Sequence, residues 1–207
     1  MSLPLEIEGK WLVKHLRSIE FRLHALGAVC IQPRLHENNL RFDTPSRELS
    51  NQWKVLRLRQ DSDARFTFKA PQQVQGGIRS NIEIEFTVGD YELGKQFLEA
   101  LGYEVYFQYE KFRAVYLLED CHIMLDELPY GDFVEIEGKV YADIADLAAK
   151  LELDLAASST MNYARLFEYY CQQSGSHLQH LTFAAFENLT VTPEQLGLRF
   201  ADEQLDE

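Results

Sequence analysis

The most constraining feature of this sequence is a two-residue alternation of charged and apolar side chains that recurs in segment after segment. Residues two apart in a strand lie on the same face, so Arg57 and Arg59 share one face while Leu56 and Leu58 take the other. This alternation predicts strands with one charged and one apolar face. Five further segments show it: 6–10, 65–69, 83–86, 111–113 and 135–139.

The charged faces contain few neutral polar residues, and acids and bases segregate onto different strands. A solvated sheet face and a purely structural ion network remain alternatives. A sheet closed around its charged faces explains the segregation better, because a charged ligand would then compensate the enclosed charges. We therefore expect an α+β fold in which an antiparallel β-barrel has a charged interior and helices packed on its apolar outside.

The enclosed charges themselves indicate a ligand. Buried charges are costly unless they are paired or bound to a ligand. Clustered carboxylates hold Mg²⁺ or Mn²⁺ through oxygen, whereas Arg and Lys bind phosphate oxygens, so a triphosphate with a divalent metal would satisfy both sets. The expected interior acids are Glu6, Glu8, Glu83, Glu85, Asp126, Glu135 and Glu137, and the bases are Lys10, Arg57, Arg59, Lys69, Lys111 and Arg113.

Helical periodicity and the absence of a dividing linker define the expected organisation. Helices are predicted over 12–26, 90–101, 143–153 and about 159–173. We expect one domain over 1–175 and a C-terminal extension over 176–207, with a loosely held acidic end after Pro193. One pentapeptide, Glu-Ile-Glu-Gly-Lys, occurs twice, at 6–10 and at 135–139.

The composition restricts partners and location. A formal net charge of −13 argues against a broad nucleic-acid or anionic-membrane surface, since both require excess Lys and Arg. Three widely spaced cysteines form neither a disulfide framework nor a zinc motif. Without a visible signal peptide or membrane span, we expect a cytoplasmic protein. The expected partner is a small-molecule triphosphate, and a homodimer is an open alternative.

Several motifs, taken in order, resemble those of CYTH proteins, also called triphosphate tunnel metalloenzymes. Glu6-x-Glu8-x-Lys10 resembles the ExExK signature of that family. The resemblance runs from about residue 4 to 170, and the ordered set is more specific than any single motif. The later matches are Phe42-Asp43-Thr44-Pro45, Leu56-Arg57-Leu58-Arg59, Lys69-Ala70-Pro71, Glu83-Ile84-Glu85, Glu110-Lys111-x-Arg113, Leu125-Asp126 and Phe133-Val134-Glu135-Ile136-Glu137-Gly138.

The resemblance implies an eight-stranded antiparallel tunnel and a division of roles. Glu6, Glu8, Glu135 and Glu137 would hold the principal Mg²⁺ or Mn²⁺. Glu83, Glu85 and Asp126 would help a second metal or position water. Lys10, Arg57, Arg59, Lys69, Lys111 and Arg113 would bind the triphosphate. Glu8, Lys69 and Glu85 are the residues expected to act in catalysis.

The reaction divides the family, and the sequence leaves alternatives open. Hydrolysis of inorganic tripolyphosphate is the leading hypothesis, with nucleoside or thiamine triphosphate as further substrates. Val55 stands where animal thiamine triphosphatases have Trp, which disfavours thiamine. Segment 102–137 is similar to class IV adenylate cyclases, which make cyclic AMP and pyrophosphate from ATP. Asn162-Tyr163 replaces the Ser-Tyr or Lys of other members. A non-catalytic polyphosphate- or nucleotide-binding module is the third alternative.

Overall fold

The computed structural model describes the backbone of residues 7–75 and 78–203 and the side chains of 7–70 and 82–203. Alternating segments form strands, as the sequence predicts, although several boundaries differ. The strands are β1 (Ile7–Val13), β2 (Val29–Asp43), β3 (Val55–Gln60), β4 (Ala64–Gln75), β5 (Ile78–Val88), β6 (Glu104–Leu118), β7 (Cys121–Leu128), β8 (Gly131–Gly138) and β9 (Ser158–Ser159).

The four predicted helices are present, but two begin about four residues later than predicted: Leu12 and Val13 belong to β1, so the first helix begins at Leu16, and the last of the four begins at Tyr163. Asp90 caps one of them by accepting a hydrogen bond from Leu93 N at 2.8 Å, and Asn162 caps another through Arg165 N at 3.0 Å. The helices are α1 (Leu16–Ala25), α2 (Glu48–Asn51), α3 (Tyr91–Ala100), α4 (Tyr141–Lys150), α5 (Tyr163–Ser174) and α6 (Phe183–Phe186), with 3₁₀ turns at Leu155–Ala157 and Pro193–Leu196. None of these described helices has the length and apolar character needed to cross a bilayer.

The strands form one antiparallel sheet in the order β5-β4-β3-β2-β6-β7-β8-β1-β9. Among the described residues no pairing joins the two ends of this order. The fold is α+β, but the prediction of a closed eight-stranded barrel is wrong. A period-two pattern fixes which face each side chain occupies. Closure depends on strand tilt and stagger, which that pattern does not encode.

Two compact units divide the described residues. Unit 1 comprises 36–110 and 179–182, and unit 2 comprises 7–35, 111–178 and 183–203. The predicted boundary near residue 175 stays a prediction.

The core of unit 2 lies on the apolar face of β1, β6, β7 and β8. Trp11 and Ile136 are buried there together with Ile19 from α1 and Leu147 from α4. Burial of such side chains is worth about 1.5–3 kcal/mol each. Apolar alternation therefore predicted the buried face of these strands correctly.

Unit 1 has its own apolar core beneath α3. Leu58 and Phe66 from neighbouring strands pack against Tyr91 and Leu98. A Cβ at Gly94 would lie 3.2 Å from a ring carbon of Phe66, so glycine permits α3 to approach the sheet closely.

The repeated pentapeptide is explained by the pairing of β1 with β8. The two copies run antiparallel, with Gly9 opposite Ile136 and Gly138 opposite Ile7. A Cβ at Gly9 would lie 2.4 Å from the Trp11 ring. A Cβ at Gly138 would lie 3.0 Å from Cys121 Sγ and 3.3 Å from a side-chain carbon of Ile144, so each glycine leaves room for neighbouring side chains on the apolar face.

The segment after Pro193 was expected to be loosely held, and this expectation is wrong for its described part. Leu196 and Ala201 are buried. Ala201 N donates to Leu12 O at 2.9 Å, and Asp154 N donates to Ala201 O at 2.9 Å. Asp202 accepts hydrogen bonds from the backbone of Lys14 and His15. Backbone and carboxylate contacts therefore bind this acidic segment to unit 2.

Candidate functional site

A group of charged residues is buried on the face of unit 2 opposite its apolar core. Lys10 of β1, Lys111 of β6, Asp126 of β7 and Glu135 of β8 are 4%, 5%, 0% and 6% exposed. Alternation along each strand turns these side chains away from the apolar face. Charged residues are rarely buried so completely unless they are paired, so this group is the first candidate site.

Ion pairs connect the buried group. Lys10 Nζ lies 2.9 Å from Glu135 Oε1, and Lys111 Nζ lies 3.2 Å from Asp126 Oδ2. Arg113 Nε donates to Asp126 Oδ1 at 2.5 Å, and its terminal nitrogen contacts both Asp126 and Glu135. Arg113 therefore bridges the two carboxylates, which fixes all three side chains.

The cations hold both carboxylates in their ionised form. Burial alone would raise the pKa of Asp126, but the charges of Arg113 and Lys111 and hydrogen bonds from Arg113 and Tyr163 hold it well below its ordinary value. Burial likewise opposes ionisation of Glu135, and Arg113, Lys111 and Lys10 together lower its pKa. The site is thus a fixed array of charges at neutral pH.

Tyr163 belongs to this group, although the sequence analysis did not assign it to the site. Its hydroxyl donates to Asp126 Oδ2 at 2.7 Å. Its ring centroid lies 4.2 Å from Lys10 Nζ and 5.4 Å from Lys111 Nζ, which stabilises both cations. Burial first, and then the charge of Asp126, raise the pKa of Tyr163 well above its usual range. The noted Asn162-Tyr163 pair, which opens α5, was the available sequence signal.

Two glutamates beside this group are candidates for holding a metal. Glu8 lies directly opposite Glu137 in the β1–β8 pairing. Like charges at directly opposed positions destabilise a sheet, so a cation bound to these carboxylates would relieve their repulsion. Oxygen donors of this kind suit Mg²⁺ and Mn²⁺, and the residues fit such an ion in their chemistry.

Within the part of the chain that the structure describes, no three His, Cys, Asp or Glu side chains are grouped so that they could hold a metal ion. Glu6, which the sequence analysis assigned to the principal metal, lies outside the described residues. Asp126 and Glu135 are engaged by cations. The metal assignments of the sequence analysis therefore stay predictions.

Unit 1 has a second charged group on β3, β4 and β5. Arg57 Nη2 lies 3.6 Å from Glu85 Oε2 and 3.1 Å from Thr67 Oγ1. Thr67 is buried and donates to Glu85 Oε2 at 2.8 Å. Arg59 Nη2 lies 3.4 Å from Glu85 Oε1. Two arginines and a hydroxyl thus orient one partly exposed carboxylate.

The remaining predicted pair of unit 1 lies further along the same strands. Lys69 is opposite Glu83 in the β4–β5 pairing, with Nζ 3.0 Å from Oε2. Both side chains are partly exposed, so the pair contributes little to stability.

The predicted site residues therefore fall into two groups. Unit 2 contains Glu8, Lys10, Lys111, Arg113, Asp126, Glu135 and Glu137, and unit 1 contains Arg57, Arg59, Lys69, Glu83 and Glu85. Basic side chains on one strand lie across from carboxylates on the neighbouring strand. These ion pairs explain why acids and bases are segregated onto different strands.

The class of this protein follows from two observations. Its antiparallel sheet has carboxylates and basic side chains on one face, and its motifs occur in the order described above. The CYTH domain family model matches residues 4–168. The chain belongs to the CYTH domain family.

Individual relatives have related names and folds. Adenylate cyclase CyaB of Aeromonas hydrophila is 26% identical over 181 residues, which cover 82% of this chain and 90% of the relative. An X-ray structure of a candidate adenylate cyclase from Vibrio parahaemolyticus has a TM-score of 0.70 at 22% identity, covering 81% of this chain and 99% of that chain.

A structure from Hippeastrum adds a second activity to those named for similar proteins. HpAC1 from Hippeastrum is described as a candidate adenylyl cyclase that reveals a dominant triphosphatase activity. Its TM-score is 0.58 at 18% identity, covering 84% of this chain and 97% of that chain. At these identities the two structures establish a shared fold.

Proposed function

We propose that this protein is a metal-dependent triphosphatase, with inorganic tripolyphosphate as its leading substrate. The observation that carries the proposal is the buried group of Lys10, Lys111 and Arg113 with Asp126 and Glu135. Such a group is often less stable than apolar residues of similar volume. Its placement opposite the core therefore favours a role in ligand binding.

The basic residues supply what a triphosphate requires. Lys111 and Lys10 provide compact charges, and Arg113 provides a planar fork that matches phosphoryl oxygens. Because the ion pairs and the Tyr163 ring already fix these cations, little reorganisation is needed when charge develops on the phosphoryl oxygens. In unit 1, Arg57 and Arg59 offer a further pair of guanidinium groups.

Carboxylates would hold the metal. CYTH proteins are metal-dependent in general, and the proposal assigns Mg²⁺ or Mn²⁺ to Glu8 and Glu137, with Glu135 and the undescribed Glu6 as further ligands. The ion would neutralise phosphoryl charge. Asp126, Glu83 and Glu85 are proposed for a second ion or for water.

Glu85 and Lys69 are proposed to act directly on the substrate. Thr67 and two arginines orient the Glu85 carboxylate, so it can accept a proton from water at Oε1 or Oε2. The Lys69 ammonium can donate hydrogen bonds to a phosphoryl oxygen, and it is partly exposed for that purpose.

A cyclase reaction is the second candidate. The Aeromonas relative is named an adenylate cyclase, and the Vibrio structure is that of a candidate adenylate cyclase. These names favour ATP as the substrate and a reaction in which its ribose 3′-hydroxyl attacks the α-phosphate. The dominant triphosphatase activity reported for the Hippeastrum protein favours hydrolysis. The cytoplasmic location and the homodimeric state stay predictions from the sequence.

One substrate panel tests the proposal. Purified protein with Mg²⁺ or Mn²⁺ is given tripolyphosphate, ATP or thiamine triphosphate, and phosphate, pyrophosphate and cyclic AMP are measured. We expect phosphate and pyrophosphate from tripolyphosphate, with loss of activity on chelation. Cyclic AMP and pyrophosphate from ATP, without phosphate release, would support the cyclase. Binding without any turnover would contradict both reactions and leave a binding module.

A further inference from the structure

Two consecutive asparagines on β2 have opposite surroundings. Asn38 Nδ2 donates to the Tyr91 hydroxyl at 3.0 Å, and its Oδ1 accepts from Gln108 Nε2 at 2.9 Å. Asn39 has no exposed surface. Neither its amide nitrogen nor its amide oxygen has a hydrogen-bond partner among the described residues. A buried amide left unpaired destabilises a fold, and such cases call for an explanation.

Asn39 lies on the charged face of unit 1, with arginines among its neighbours and the buried Glu37 two residues before it on the same strand. The β2–β3 register places Asn39 opposite Arg59 and Arg41 opposite Arg57. Cross-strand partners share a face with Cβ atoms about 4.5–5.5 Å apart. The Nε atoms of Arg41 and Arg57 are also buried without a hydrogen-bond partner in the described structure. Two opposed cations and an unpaired amide are thus adjacent.

A bound anion would relieve the repulsion between the two opposed arginines. By turning a guanidinium group, it would also give the Asn39 amide a hydrogen-bond partner. Directly opposed like charges are unfavourable, and a phosphoryl group bound by two guanidinium forks compensates them. Glu37 and Glu85 already compensate part of the Arg57 charge, so the anion would chiefly serve Arg41, whose guanidinium group otherwise faces the Tyr106 ring at 5.4 Å. Asp43 fixes the end of β2, because its carboxylate accepts hydrogen bonds from Leu49 N and Ser50 N at 2.9 Å. The backbone two residues beyond Arg41 is therefore fixed.

We propose that Arg41 is a further phosphate-binding residue beside Arg57 and that Asn39 positions these arginines. Because Asn39 is fully buried, it acts through its neighbours: its amide oxygen accepts the Nε–H of an arginine once an anion turns the guanidinium group. The inference rests on the proposed function. It adds two residues that the sequence analysis did not assign and identifies their ligand as a phosphoryl oxyanion.

The two asparagines provide a matched pair of variants. Tripolyphosphate binding is measured by calorimetry in EDTA, and unfolding is measured without ligand. Asn39→Leu should raise the Tm by about 2–4 °C, because it removes an unpaired amide, and should weaken tripolyphosphate binding about tenfold. Asn38→Leu should lower the Tm by a similar amount and leave the Kd within about twofold.

A second variant keeps the inference testable if Asn39→Leu does not fold. Arg41→Gln should weaken tripolyphosphate binding about tenfold and should not lower the Tm, because it removes one of two opposed charges. A fall in Tm for Asn39→Leu, or unchanged binding by either variant, would overturn the inference while the proposed function stands. Absence of triphosphate binding by the wild-type protein in every condition would overturn both.

Discussion

Lys10 and Glu135 lie directly opposite each other in the β1–β8 pairing, with Lys10 Nζ 2.9 Å from Glu135 Oε1 and side chains only 5% and 7% exposed. Lys14 and Glu203 form a shorter pair at 2.6 Å, but their side chains are 50% and 49% exposed. We expect the buried pair to matter more for stability than the shorter exposed pair, because water screens the exposed charges.

Removing the buried carboxylate should therefore be costly. Glu135→Leu leaves Lys10 and Arg113 buried with less compensating charge, and we expect the free energy of unfolding to fall by about 3–5 kcal/mol. Glu203→Ala, the control, should change it far less, because the Lys14–Glu203 pair is exposed to water. Urea unfolding of both variants measures the difference. Equal losses would show that the buried group contributes no more than a surface pair.

The Tyr163 hydroxyl should contribute through its bond to Asp126. Tyr163→Phe removes a hydrogen bond to a fully buried carboxylate and keeps the ring under the two lysines. We expect a loss of about 1.5–3 kcal/mol in unfolding free energy. Tyr170→Phe, on the same buried face of α5, should cost less because its hydroxyl does not bond Asp126. Chemical denaturation of both variants measures this, and a Tyr163→Phe protein as stable as wild type would refute it.

Asp132 should make stability depend on pH. Burial, and then the charge of Glu127, raise its pKa to about 6 against the opposing effect of Arg34. The native state then binds more protons than the unfolded state between about pH 4 and 6, so this contribution to stability falls as pH rises through that window. Asp132→Asn should be more stable than wild type by about 1 kcal/mol at pH 7, after allowance for partial exposure.

The same variant should lose its advantage in acid. Below about pH 4 Asp132 is protonated in both states, and the stability difference between variant and wild type should approach zero. Thermal unfolding at several pH values between 3.5 and 7.5, chosen as roughly spanning that window, gives the comparison. An advantage of constant size across the series would show that the carboxyl does not titrate as its burial requires.

Glu8 should be required for metal-dependent activity rather than for folding. Glu8→Gln keeps the size of the side chain but removes one of the two opposed charges on β1 and β8, so unfolding free energy should change by less than about 1 kcal/mol. Metal-dependent phosphate release should fall at least about a hundredfold. Glu119→Gln, at an exposed pair with Lys150, should retain activity. Full activity of Glu8→Gln would refute the metal assignment.

Residue alternation predicted which face each side chain occupies, but the expectation that helices cover the whole apolar face is wrong for β5, where Ile84 and Phe86 are 53% and 56% exposed. Leu58 and Ile136 are buried as predicted, and Lys10 and Glu135 lie on the opposite face, because a strand's period of two is written directly in the sequence. Closure of the sheet was predicted wrongly, since it depends on geometry among strands far apart in the chain. The contact of Tyr163 with Asp126 joins a helix to a distant strand, and no local pattern encodes it.

Asn39 shows a different limit of sequence reasoning. An asparagine in a strand gives no sign in the sequence that its amide will be buried without a hydrogen bond. The role proposed for Asn39 depends on the residues that surround it in the fold. Asn38 is identical in type and adjacent in sequence, yet its amide nitrogen and its amide oxygen each have a hydrogen-bond partner. The two asparagines differ in whether their amides are hydrogen-bonded, and only the fold determines that difference.

The position of β1 between β8 and β9 has a consequence for how the chain is made. During synthesis the first strand leaves the ribosome long before Gly131 and Ser158, which begin its two neighbours. Late-arriving partners of this kind slow folding. On stalled nascent chains that end before β8, the amide of Trp11 should exchange freely with solvent. Protection should appear only after the second copy of the pentapeptide has emerged.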